Sequence, residues 1–99
     1  MARIDKMPDR ESAVLVQKPA DIGAAIRARR KELGYTQEFC AQMLGYSPRL
    51  IGEIERGRGS VGFEKILRYS MGLGMDIIID RRGPAPKKRD RISDRYRRG

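Results

Sequence analysis

Four stretches of the chain place apolar residues three or four positions apart, the spacing that lines one side of an α-helix. The first begins at Asp21, where Ile22, Ala25, Ile26, Arg29 and Leu33 share a stripe, basic residues gather toward the C-terminal end and Gly34 stops the run. The second and third are shorter. Cys40, Ala41 and Leu44 form one inward stripe, Ile51 and Ile54 another, and each helix is introduced by a capping residue: Thr36 for the first, Ser47 followed by Pro48 for the second. Beyond a flexible RGRGS connection, a fourth helix capped near Ser60 runs to about Met71, with Phe63, Ile66, Leu67 and Met71 predicted inward. Gly72 and Gly74 end it.

Two segments break this period. Met75 to Asp80 (MDIIID) sets three consecutive isoleucines between aspartates and reads as a strand that wants cover on both faces. Ala13 to Gln17 (AVLVQ) is a short β-prone run, either a strand or an apolar lead-in. A lone strand leaves its backbone donors and acceptors unpaired. Residues 75–80 therefore pair either with 13–17 or with the same strand of a second copy. The second solution makes a two-fold dimer with Met75, Ile77, Ile78 and Ile79 at the shared sheet. The predicted organisation is an N-terminal arm over 1–20, a mainly α domain of four to five helices over 21–80 with an added C-terminal β-strand, and a basic tail over 81–99. High polarity and charge predict disorder in the outermost arm and in the tail.

The stretch from Thr36 to Arg56, TQEFCAQMLGYSPRLIGEIER, is the centre of this arrangement. Gly45 frees the backbone for a sharp change of direction between two short helices, which makes a helix-turn-helix. Helices this short need flanking helices to complete a core. Such a motif lays its second helix in the DNA major groove, with the early residues and those one turn later at base edges: here Pro48, Arg49, Gly52 and Glu53. Arg49 can donate twice to guanine O6 and N7, and Glu53 can accept from a cytosine amino group. The plainer alternative is that the two, four residues apart, pair on a solvated face. Leu50 is outward by spacing and either meets a thymine methyl or is an incidental surface residue. Gly52 costs roughly 1 kcal/mol relative to Ala in mid-helix, which close approach of backbone to DNA would justify. Gln37, in the unpaired first turn of its helix, offers a phosphate site; Thr36, Ser47, Arg56, Arg58 and Lys31 are further candidate phosphate contacts. Arg30 lies one turn from Ile26, points inward and needs an anionic partner, for which Glu55 is the candidate.

Composition adds a net charge of +9 and a pI near 10.3, which points to an acidic partner such as nucleic acid or an anionic membrane face. Nine of the 22 Lys and Arg lie in 81–99 against Asp90 and Asp94, a net +7, which leaves only +2 for residues 1–80. Overall basicity therefore says little about the folded part. No apolar run approaches the roughly 20 residues that span a bilayer, and the N-terminus lacks the apolar centre of a signal peptide. These features predict a cytoplasmic protein associated with the nucleoid through DNA. Cys40, the single cysteine, falls on an inward stripe and reads as a core residue; histidine is absent. That composition argues against metal sites, cofactors and His-based catalysis, and a chain of this size lacks a convergent catalytic set.

From Asp21 to Asp80 the sequence resembles the Xre/Cro family of phage-repressor-like helix-turn-helix proteins, on IRARRKELGYTQ, AQMLGYS and IGEIERG. The resemblance implies that Gln37 binds backbone phosphate, that Arg30 and Glu55 form an internal ion pair, and that a homodimer binds a palindromic double-stranded operator. The segment KILRYSMGLGMDIII looks like the HipB-type antitoxin branch, whose dimers share a β-lid and bind a HipA-type Ser/Thr kinase toxin in a multi-subunit complex. By that analogy the chain is the antitoxin and autorepressor of a toxin–antitoxin operon. Two departures stand out. Phe39 and Met43 occupy an outward face where the family usually has polar residues, so they form either a protein-contact patch or a surface for the 13–17 run. Pro48 replaces a polar base reader and offers helix initiation and van der Waals contact without a hydrogen bond. Two further readings are a stand-alone repressor with no toxin, and an interaction adaptor whose motif no longer binds DNA.

Overall fold

The computed structural model describes residues 13–81; most of the expected arm and nearly all of the basic tail lie outside them. Within this span the chain forms four helices: α1 (Pro19–Glu32), α2 (Gln37–Leu44), α3 (Pro48–Arg56) and α4 (Phe63–Gly72). Helix α1 starts two residues before Asp21, because Pro19 fits the first turn, where its missing N–H is no loss. Asp21 closes the entry by accepting the backbone N–H groups of Gln17 and Lys18 at 2.9 and 3.2 Å.

The central motif is built by local chemistry. Thr36 Oγ1 accepts the Phe39 N–H at 3.0 Å and Ser47 Oγ accepts the Leu50 N–H at 3.1 Å, so each short helix has a side-chain cap. Between them Gly45 takes φ 73°, a left-handed turn that a side chain would strain. The Tyr46 N–H then returns to the Ala41 carbonyl at 2.9 Å.

Ile26, Cys40, Ala41, Leu44, Ile51, Ile54, Tyr69 and Leu73 make the core. Helices α1 and α3 cross closely at Gly23. A Cβ built there would lie 2.4 Å from the Ile54 carbonyl oxygen and 2.5 Å from that of Glu55. Helix α4 is capped at Gly62, two residues past Ser60, and departs from the sequence reading in its buried face, which carries Tyr69, Ser70 and Leu73, whereas Phe63 and Met71 are exposed. Apolar residues occur on several sides of this helix, so period alone does not choose a face; the choice follows from the polar partner that Tyr69 finds in the core. At its far end Arg29 Nε donates to the Leu73 carbonyl at 3.0 Å, tying α1 to the close of α4.

No strand forms among the described residues, which corrects both strand expectations for the single chain. After α4 the Met75 N–H donates to the Ser70 carbonyl at 3.0 Å and its side chain packs on the core. Ile78 is half-buried, and Ile77 and Ile79 are exposed. A ladder needs a second extended segment about 4.8 Å away, and no described segment of the chain takes that place. The 13–17 run goes elsewhere: Val16 and Gln17 line a shallow apolar groove with Ile22, Val61, Phe63 and Ile66. No described helix is long and apolar enough to cross a membrane.

Candidate nucleic-acid interface

Helix α3 is held from one side. Ile51, Ile54 and Glu55 are buried, which leaves Arg49 and Arg56 exposed and Glu53 half-buried on the opposite side, while Pro48 is exposed at the helix start, one turn before Ile51. The Arg49 side chain is 86% exposed and its Nε lies 3.3 Å from Glu53 Oε2. An exposed i,i+4 pair of this length contributes a few tenths of a kcal/mol, so it yields readily to a stronger acceptor. Leu50, beside them, is half-buried and packs against the core. Gly52 is buried beneath the Arg56 side chain: an added Cβ would lie 3.0 Å from Arg56 Nη1. The group nearest that position is thus a guanidinium at the far end of a flexible side chain.

The first turn of α2 exposes Thr36 and Glu38, with Gln37 half-buried between them. The Gln37 and Glu38 backbone N–H groups have no intrahelical acceptor. Ser47 is exposed at the start of α3, and Lys31 and Arg58 are exposed near the ends of α1 and α3.

Behind this surface lies a buried polar network centred on Glu55. Its Oε2 accepts from Arg30 Nε at 2.7 Å and from the Tyr69 hydroxyl at 2.6 Å. Its Oε1 accepts from Arg30 Nη2 at 3.0 Å and from Gln37 Nε2 at 3.2 Å. Arg30 Nη1 also donates to the Tyr35 carbonyl at 2.9 Å. Every buried side-chain nitrogen and oxygen among the described residues has a partner. Burial raises the Glu55 pKa, but the hydrogen bonds from Arg30, Tyr69 and Gln37 outweigh it and hold the carboxyl below its ordinary value. Burial, then the hydrogen bond to Glu55, pushes the Tyr69 phenol well above its ordinary value. Cys40 sits in the same core, and burial raises its thiol pKa.

Residues 26–78, from the middle of α1 past the end of α4, match the helix-turn-helix family, and that span is more than half of the chain. The chain belongs to the helix-turn-helix family. This helix-turn-helix protein is 36% identical over 64 residues to the uncharacterised HTH-type transcriptional regulator y4mF of Sinorhizobium fredii, across 65% of this chain and 84% of that one. It is 60% identical over 35 residues to the HTH-type transcriptional regulator YazB of Bacillus subtilis, across 35% of this chain and 51% of the relative. An HTH-type transcriptional regulator of Methanothermobacter thermautotrophicus is 40% identical over 55 residues, across 56% of this chain and 80% of its own.

In this helix-turn-helix protein the structure brings Arg30, Gln37 and Glu55 together and adds Tyr69, which the sequence did not single out. Its hydroxyl is a donor like that of any tyrosine, but its partner lies 14 residues away on another helix, beyond a local reading. Phe39 and Met43 remain 46% and 42% exposed. Phe39 lies against the Tyr35 ring with centroids 4.6 Å apart, and the Met43 methyl reaches the end of α4 at Gly72.

Proposed function

We propose that this helix-turn-helix protein is a sequence-specific transcriptional regulator that lays α3 in the major groove of double-stranded DNA. The observation that carries the reading is the one-sided anchoring of α3, which presents Arg49 on an open face with only a loose surface pair. In this mode Arg49 exchanges Glu53 for guanine O6 and N7, Glu53 turns to a cytosine amino group, and Pro48 makes van der Waals contact. Gln37, Thr36 and Ser47 meet the phosphates, with Arg56, Arg58 and Lys31 along the flanking backbone. The test begins by enriching a duplex from a random pool with the full chain. Arg49→Ala should then lose about 1–3 kcal/mol of affinity and relax the preference at one base pair, with thermal stability unchanged. Equal affinity and preference in the variant would remove Arg49 from the readout, and a wild-type chain that enriches no duplex would favour the adaptor reading instead.

The regulator acts as a homodimer on a palindromic site, with residues 75–80 pairing across the two-fold axis. Supporting this, Ile79 is 96% exposed and Ile77 is exposed beside it, an apolar edge that a second copy would cover. Ile79→Lys, at a position where the fold of the single chain has nothing to lose, should sediment as a monomer and bind paired half-sites weakly. A variant that stays dimeric would place the interface elsewhere. The setting we propose is a HipBA-like toxin–antitoxin operon, in which the exposed Phe39 and Met43 face a kinase partner. A stand-alone regulator with no toxin partner is the second reading. Purification of the chain expressed from its native operon separates them: a stoichiometric kinase-like protein supports the antitoxin, and its absence supports the stand-alone regulator.

A further inference from the structure

We infer that Tyr69 is a positioning residue for DNA binding, acting through Glu55 to orient the Gln37 side chain at the start of α2. The inference rests on the proposed role of Gln37 at a phosphate. A carboxylate only accepts hydrogen bonds, at about four lone-pair sites. Glu55 has four donors, two from Arg30 and one each from Tyr69 and Gln37. Because Glu55 cannot donate, the Gln37 amide must turn its nitrogen toward it, which decides which end of the amide faces inward. One amide N–H is used there. The other remains for an anion, on the residue whose own backbone N–H opens α2.

The four bonds are unequal in length. Arg30 holds both oxygens from α1, the Tyr69 hydroxyl pins Oε2 from α4 at 2.6 Å, and the bond to Gln37 is the longest at 3.2 Å. Without the Tyr69 hydroxyl the carboxylate keeps its fork on Arg30 but can tilt about it, and the long bond to Gln37 is the first to fail. An amide released in this way must be ordered again when DNA binds, which lowers affinity. Helix α4, which touches no DNA in the proposed mode, thereby helps to set a donor on α2.

The experiment uses the full chain and a duplex enriched by the wild type from a random pool. Tyr69→Phe keeps the ring and should weaken binding about three- to tenfold. Gln37→Ala should weaken it too, and adding Tyr69→Phe to Gln37→Ala should cost nothing more. Ethylation of one backbone phosphate, which interferes with wild-type binding, should interfere less in both single variants. A Tyr69 that serves stability alone would lower affinity by the same factor with or without Gln37, or leave it unchanged, and either result overturns the role. NMR without DNA supplies a measurement independent of binding. The Gln37 side-chain amide resonances should move toward those of a solvated glutamine in Tyr69→Phe, and unmoved resonances overturn the coupling. A wild-type chain that enriches no duplex overturns the DNA reading and this role together, whereas enrichment with additive effects overturns the role alone.

Discussion

Glu55→Ala should lower the stability of the domain by about 3–5 kcal/mol, read as a shift of the urea midpoint followed by circular dichroism. The loss comes less from the missing pair than from what is left behind. Arg30 stays buried with no carboxylate opposite it, and the Tyr69 hydroxyl loses its acceptor in a site that excludes water. For a small domain whose total stability is on the order of 5–15 kcal/mol, this is a large share. Replacing the buried members together, as Arg30→Met, Glu55→Leu and Tyr69→Phe, should recover most of it, because no uncompensated charge then remains. A loss under about 1 kcal/mol in the single variant would mean that the network is hydrated and contributes little.

The same carboxyl sets an acid limb. Its pKa is lowered in the folded chain from an ordinary value of 4.5, so the unfolded chain takes up the proton first as pH falls. The stabilisation is fully present above that ordinary value and is lost as pH drops through it toward the folded value. Tyr69 works in the opposite direction. Its pKa is raised from 10.0, so its contribution is complete below that value and declines as pH climbs above it, where the unfolded phenol ionises first. Denaturation midpoints measured across pH should show both limbs, and Tyr69→Phe should remove its share of the alkaline one.

Gly23→Ala should destabilise the domain by about 3 kcal/mol, toward the upper end of what overpacking costs. The sign is the informative part. In an exposed helix the same change would stabilise by up to about 1 kcal/mol, since alanine is the better helix former. Here the added methyl would meet two carbonyl oxygens of α3 at 2.4 and 2.5 Å, and these are backbone atoms that move only if the α1–α3 crossing opens. That crossing also carries the Arg30–Glu55 pair, so widening it stretches the ion pair as well. Thermal unfolding should show a drop on the order of 10 °C or more. A midpoint raised by the substitution would show that α1 and α3 are not packed this closely.

The sequence alone determined the motif and much of its packing. Thr36 and Ser47 cap their helices, Gly45 turns the chain, and Cys40, Ala41, Leu44, Ile51 and Ile54 face the core. These features depend on hydrogen bonds and periods within a few residues, so a local reading reaches them. The pairing of Arg30 with Glu55 was legible for a different reason, since a buried guanidinium must find an anion and inward-facing carboxylates are few. Only the tertiary structure decided which face of α4 is buried, because several faces of that helix are apolar and the acceptor that selects Tyr69 belongs to α3. It likewise showed that Gly23 is a contact with another helix, that Gly52 is covered by Arg56, and that Gln37 turns inward. The three isoleucines after α4 promised a strand, but a strand exists only where a second segment meets it, and that partner is not supplied by the described part of the single chain.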